Sequence, residues 1–306
     1  MKKQLSKLGT SLLRHSLIPS RPKQNIQEYL GSILRLQATL NTLSRSQIGT
    51  RDKMQSQIVA LLKYGVKQLD EVFKRTLTTH SQLIDPTSLL TQDLPFPKIP
   101  PQPLQLLSTL GTFLGSMSGL ESTYEQIYAD VRGSFLSNSL SETAAAVLSS
   151  AQGRPNQASI SPATLIRSLT ALLESEMDIL QSIIRKRQTE VFMSTSIPPM
   201  GQFSRTFKAL NTQIRGNPSS NFRLTLTILE DLALAQELID KSSLSRESVE
   251  GIKKDIAALE REARGIGAVG VGDVIEDVKR RGNNVLMLPA DANVIDLTVD
   301  VCSLLW

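Results

Sequence analysis

Apolar side chains recur three or four residues apart through most of the chain, and this spacing sets the fold class. Ile26, Tyr29, Leu30, Ile33, Leu34, Leu40 and Leu43 form one apolar stripe along a helix. Met54, Ile58, Leu61, Leu62, Leu69, Val72, Phe73 and Leu77 continue the rhythm, with Gly49 as a stop and Thr50 as a cap between the two segments. Gly65 lies near the second stripe, where a missing side chain lets a neighbouring backbone approach. A longer helical pattern runs from Leu104 to about Ser150. Within it Gly111, Gly115 and Gly119 lie four apart among Thr, Ser and Glu, which reads as close packing or a kink in a soluble helix. After a polar loop, Ser161-Pro162 is a start signal, a cap followed by proline in the first turn. The next helix is expected to reach about Thr195, where Ile197-Pro198-Pro199 stops it. Further stripes run through Phe203, Phe207, Leu210 and Ile214, then Leu224 to Ile239, then Val249, Ile252, Ile256 and Leu259. The best strand candidate, Asn284 to Leu288, is one short run without a partner. The reading is an all-α protein of antiparallel helices joined by short turns.

Breaks in this pattern divide the chain. Residues 1–25 form a basic, poorly ordered leader, and residues 26–92 an N-terminal helical pair. Residues 93–103 hold Pro95, Pro97, Pro100, Pro101 and Pro103 and read as an extended connector. Residues 104–306 form helical bundles, and their last helix is incomplete. Its stripe, Val294, Leu297, Thr298, Val301, Leu304 and Leu305, stops at Trp306 with no cap, so a piece of a longer chain is expected.

Charge and composition exclude several functions. The net charge of +5 is concentrated at the start. Lys2, Lys3, Lys7, Arg14, Arg21 and Lys23 meet no acid in the first 27 residues, which leaves 28 of the 34 basic residues against all 29 acidic ones. A neutral body lacks the clustered cations that displace counterions from nucleic acid, so no nucleic-acid partner is expected. The scarcity of aromatic residues also weakens an RNA-recognition sheet. One cysteine, Cys302, forms no intramolecular disulfide and no multi-cysteine zinc site. The longest apolar runs are five residues, far below the roughly 20 a membrane-spanning helix needs. In the leader, Leu5, Leu8 and Leu12 share a helical face among basic and Ser residues, a pattern open to a disordered start, a membrane-surface helix or a mitochondrial presequence.

Candidate chemistry is sparse. Gly265-Ile-Gly-Ala-Val-Gly270 matches a dinucleotide-loop spelling, but a charged helix precedes it where a strand is required. It reads as an interhelical loop, with Asp273 capping the next helix and Glu276 completing a capping box. Those acids would repel a phosphate at that helix end. His15 and His80 stand 65 residues apart without convergent ligands, so no metal is expected. Cys302 reads as a packed side chain rather than a nucleophile. The carboxylates Glu174, Glu176 and Asp178, and Glu230, Asp231, Glu237 and Asp240, mostly follow solvated helix faces, and no catalytic pair or cofactor site is expected. Two basic runs remain: Arg185, Lys186 and Arg187, and Lys279, Arg280 and Arg281. Each is a candidate for weak contact with acidic lipid or a partner, and each also suits a helix C-terminus, where cations offset the dipole.

A set of motifs resembles a known family. Leu61-Leu-Lys-Tyr-Gly65, Gln68-Leu-Asp-Glu-Val-Phe73, Pro86 and Leu94-Pro-Phe-Pro97 are similar to fungal members of the seventy-kilodalton subunit family of the exocyst tethering complex. In the same order come Tyr128-Ala-Asp-Val-Arg-Gly133 with Ser134 to Leu140, Asp273 to Lys279, and Leu288-Pro-Ala-Asp-Ala292 with Leu297-Thr298. The resemblance spans about residues 26 to 305. It implies an elongated rod of stacked helical bundles without enzymatic activity, acting in exocytosis by tethering secretory vesicles. It implies other exocyst subunits, Rho-type GTPases and plasma-membrane phosphatidylinositol 4,5-bisphosphate as partners. The implied location is cytoplasmic and peripheral at the plasma membrane, at sites of polarised growth such as a bud or hyphal tip. The family's main lipid-binding patch lies in its C-terminal part, beyond this chain, so phosphoinositide binding is expected to be weak and no binding residue is carried over. The leader and residues 265–272 depart from the family pattern. The readings kept open are an unrelated helical scaffold, a mitochondrially targeted helical protein and, as an enzyme, an oxidoreductase.

Overall fold

The computed structural model describes residues 26–45, 51–117, 122–151, 161–216, 221–242, 244 and 246–285. Among the described residues every regular element is a helix. They are α1 (Ile26–Ser44), α2 (Arg51–Thr79), α3 (Pro86–Thr91), α4 (Pro101–Ser116), α5 (Tyr124–Ala151), α6 (Pro162–Ile183), α7 (Gln188–Gly216), α8 (Phe222–Lys241) and α9 (Arg246–Val285). No described helix is long and apolar enough to cross a membrane.

The chain divides into two compact units. The first takes residues 1–82, 98–132 and 178–195, and the second 83–97, 133–177 and 196–306. In the first unit, α1 packs on α2. The α2 stripe Ile58, Leu62, Val66, Leu69, Phe73 and Leu77 is buried, as three-four spacing requires. The Tyr29 hydroxyl donates to the Gly65 carbonyl at 3.4 Å, so the glycine in α2 sits where a neighbouring side chain reaches its backbone. In the second unit, α8 lies along α9, with Ile228, Leu232, Ala235 and Ile239 buried on one helix and Ile252, Ile256, Leu259, Ala263 and Ile266 on the other.

The proline-rich stretch is irregular over residues 94–100, and Pro101 and Pro103 lie in the first turn of α4. A helix needs no amide donors there, so proline fits. The pattern from Leu104 to Ser150 is carried by two helices, α4 and α5, which are separated by residues 117–123.

Three sequence readings are corrected. The helix that opens at Pro162 ends at Ile183 rather than near Thr195. Arg187 then adopts a left-handed backbone, φ 54°, and α7 starts at Gln188. Pro198 and Pro199 do not stop α7 but lie inside it. The buried stripe Val191, Phe192, Thr195, Pro199, Met200, Phe203 and Phe207 keeps helical period across them, and tertiary burial outweighs two missing amide donors. The third correction concerns Gly265 to Gly272, which are helical within α9. Ala263, Ile266, Gly270 and Val274 are buried at helical spacing, so the apolar face runs straight through the glycines. Asp273 and Glu276 are therefore exposed mid-helix residues, not a cap and its box. Of the strand candidate, Asn284 and Val285 end α9, and the rest lies outside the described residues.

Candidate functional site

The two basic runs stand in different settings. Arg185, Lys186 and Arg187 connect α6 to α7. Ile184 fixes the start of this link: its side chain is fully buried and its amide donates to the Leu180 carbonyl at 2.8 Å. Arg187 is held from two sides. Its Nη1 donates to Glu125 Oε2 at 3.1 Å and its Nε to Glu190 Oε2 at 2.6 Å. These contacts, Glu190 first, raise the guanidinium pKa above its already high value. Arg187 thus pins the link to α5 and α7. Arg185 and Lys186 are exposed and enter no ion pair among the described residues. Lys279 and Arg280 are exposed on the last turns of α9; Arg281 belongs to the same helix.

The leader and the stripe from Val294 to Leu305 lie outside the described residues, as do His15, Cys302 and Gly119. His80 is half-buried just past α2. Three of the singled-out carboxylates enter ion pairs. Asp178 pairs with Lys98 at 3.6 Å, Glu237 with Lys241, and Asp240 with Lys253. Glu176 is buried. Among the described residues no group of three or more His, Cys, Asp or Glu is placed to hold a metal.

The buried polar groups that spacing alone did not reveal act as helix anchors. Asp70 is 6% exposed on α2. Its carboxylate accepts from the Ser122 hydroxyl at 2.9 Å, the Thr123 amide at 3.0 Å and the Thr123 hydroxyl at 3.1 Å. It caps the start of α5 from a distant helix, satisfying a donor the helix leaves orphaned. One turn later, Phe73 meets Tyr124 edge-on, ring centroids 6.0 Å apart. Burial raises the Tyr124 hydroxyl pKa, with Glu125 adding to the effect. Arg132 is 3% exposed, and its Nη1 donates to Ser81 Oγ at 3.1 Å. Tyr128 is fully buried one turn before it.

Gly111 shows how tightly α4 meets the end of α6. A Cβ built on it would lie 2.5 Å from the Ile183 carbonyl oxygen. At Gly115 the nearest atom would be the Tyr124 hydroxyl oxygen at 2.8 Å. Gly111 and Gly115 therefore mark close helix packing, the first of the two readings their spacing allows. In the second unit, Gly267 on α9 leaves room for Thr225 of α8, whose methyl would lie 3.2 Å from an added Cβ.

The model for the C-terminal domain of the Exo70 exocyst complex subunit matches residues 163–305. The exocyst complex protein exo70 of Neurospora crassa is 27% identical over 285 residues, 88% of this chain and 43% of its own length. The corresponding protein of Gibberella zeae is 25% identical over 284 residues, 90% of this chain and 44% of its own length. The chain is similar to the Exo70 family, through that model over residues 163–305 and through these relatives. A crystal structure of the Saccharomyces cerevisiae exocyst component Exo70p shares the fold, with TM-score 0.73 and 16% identity, covering 99% of this chain and 56% of that one. The chain thus spans less than half the length of the curated Exo70 relatives it matches. Several of the Exo70-like sequence motifs are the anchors just described: Gly65 receives Tyr29, Asp70 and Phe73 hold the start of α5, and Tyr128 and Arg132 are buried one helical turn apart.

Proposed function

We propose that this chain is a contact-making part of an exocyst subunit and takes part, without catalysis, in tethering vesicles for exocytosis. The observation that carries the reading is the Exo70 C-terminal domain match over residues 163–305, in a chain of helices whose buried acids and bases hold helix ends. Groups spent on capping and pinning leave helix faces as the working surfaces, and such faces bind partners by burying apolar stripes and matching charge. Other exocyst subunits are the primary partners. A Rho-type GTPase and phosphatidylinositol 4,5-bisphosphate are further partners of the complete subunit. In this chain, Arg185, Lys186, Lys279, Arg280 and Arg281 contribute weak lipid or partner contact, while Arg187 is committed to Glu125 and Glu190. The protein would sit in the cytoplasm and at the plasma membrane, at a bud or hyphal tip in a polarised cell.

Affinity capture from cells expressing the tagged chain tests this reading. Other exocyst subunits should co-purify, and residues 28–306 should sediment only feebly with phosphoinositide vesicles. Capture of none of those subunits by a folded, helical chain would contradict the role, and robust salt-sensitive sedimentation would contradict the weak lipid contact.

A further inference from the structure

The neutral charge of the body is an average over unlike parts. In the described residues of the first unit, 13 Lys and Arg stand against 8 Asp and Glu. Much of the excess lies on one face of α2. Opposite the buried stripe, Lys53, Lys63, Lys67, Lys74 and Arg75 are all exposed, with Glu71 the acid among them. At about 100° per residue, Lys63, Lys67 and Lys74 fall within an arc of about 40°, and at about 1.5 Å per residue they form a row about 16 Å long. Tyr64, beside Lys63, is 58% exposed. Lys67, Lys74 and Arg75 enter no ion pair among the described residues. Lys63 and Lys67, one turn apart, are like charges, while Glu71 lies one turn from Lys67, Lys74 and Arg75.

We infer that this face of α2 docks an acidic amphipathic helix of a partner protein. The inference rests on the reading of the chain as a contact-making subunit and names the chemistry of one contact. A complementary helix carries acids at positions j, j+4 and j+11 opposite Lys63, Lys67 and Lys74. A base at j+8 meets Glu71, and an apolar residue beside the row covers Tyr64. Glu71 is what favours a helix over a membrane: an anionic bilayer is negative everywhere and repels it, whereas a helix can answer it with a cation. Tyr64 supplies a rigid anchor of the kind enriched at protein interfaces.

The test uses the full chain and a labelled 21-residue Ala/Gln helical peptide with Glu at j, j+4 and j+11 and Arg at j+8. A second peptide of the same composition has the charges scattered around the helix. Fluorescence anisotropy at low salt should show the patterned peptide binding at least ten-fold tighter than the scattered one. The double variant Lys67→Glu, Lys74→Glu should weaken it at least ten-fold with helicity unchanged by circular dichroism. A charge-reversed peptide should regain binding to that variant, which a folding defect could not produce. Equal binding of both peptides, or binding indifferent to the double variant, overturns the inference. So does a double-variant effect seen with phosphatidylserine vesicles and absent with the patterned peptide. If the wild-type chain captures exocyst subunits yet fails the peptide test, this inference alone falls; if capture fails as well, the broader reading falls with it.

Discussion

Replacing Gly111 with alanine sets two opposing effects against each other at one position. In a helix interior, Gly→Ala contributes about 0.8–1.0 kcal/mol of stability through backbone entropy. At Gly111 the new methyl would stand 2.5 Å from the Ile183 carbonyl oxygen, and real Cβ atoms essentially never come within 3.0 Å of such a neighbour. The oxygen is backbone at the end of α6, next to the fully buried Ile184, so it cannot swing aside. The helices must part by about 0.5 Å or more, a gap that forfeits a quarter or more of each dispersion contact across it. The contacts at risk are those of Leu107, Leu110 and Leu114, the buried face of α4. Overpacking of this kind costs about 1–3 kcal/mol, and here it falls on a rigid acceptor, so Gly111→Ala should destabilise by about 2 kcal/mol net. Gly201 in α7 is the internal control: nothing lies within 4 Å of its would-be Cβ. Gly201→Ala should therefore show the propensity gain alone, about 0.8–1.0 kcal/mol of added stability. Urea denaturation followed at 222 nm would separate the two, with midpoints moving in opposite directions at unchanged slope. A Gly111→Ala chain as stable as wild type would refute the close-packing argument.

Other consequences can be checked in the same system. Asp70→Ala removes three hydrogen bonds at the start of α5 and should cost about 3 kcal/mol in urea denaturation, since charged caps and half-buried donors are lost together. Asp231, 8% exposed with one carboxylate oxygen unpartnered, is raised above its ordinary pKa of 3.8 by burial, partly offset by the Ala163 amide and the Ser161 hydroxyl. The folded state then holds the proton more tightly than the unfolded chain, so stability falls as pH rises above the ordinary carboxylate range; Asp231→Asn should flatten that part of the slope of melting temperature against pH. Burial pushes the Tyr29 hydroxyl to about 12, so absorbance titration at high pH should lose the amplitude of one late-ionising tyrosine in Tyr29→Phe.

The sequence carried the helices more legibly than their ends. The stripe on α2 and the Ser161-Pro162 start needed only local spacing, and both stand where that spacing put them. Pro198-Pro199 and Gly265 to Gly272 are local breakers, yet the apolar period runs through both. There tertiary burial supplies what local propensity withholds. The anchors were half legible. Asp70, Tyr128 and Arg132 fall within recognisable motifs, but the partners that hold Asp70 and Arg132 lie 53 and 51 residues away, which no local pattern encodes. The basic row on α2 was hidden for a different reason: net charge summed over the chain cancels what one helix face concentrates.

The contact role is tested most directly by titrating the purified chain into exocyst subunits reconstituted without their own Exo70. The account predicts saturable binding with micromolar affinity or better, preserved in Gly201→Ala and undiminished by removal of residues 1–25. A folded chain that shows no heat of binding and no shift in sedimentation with those subunits would contradict it.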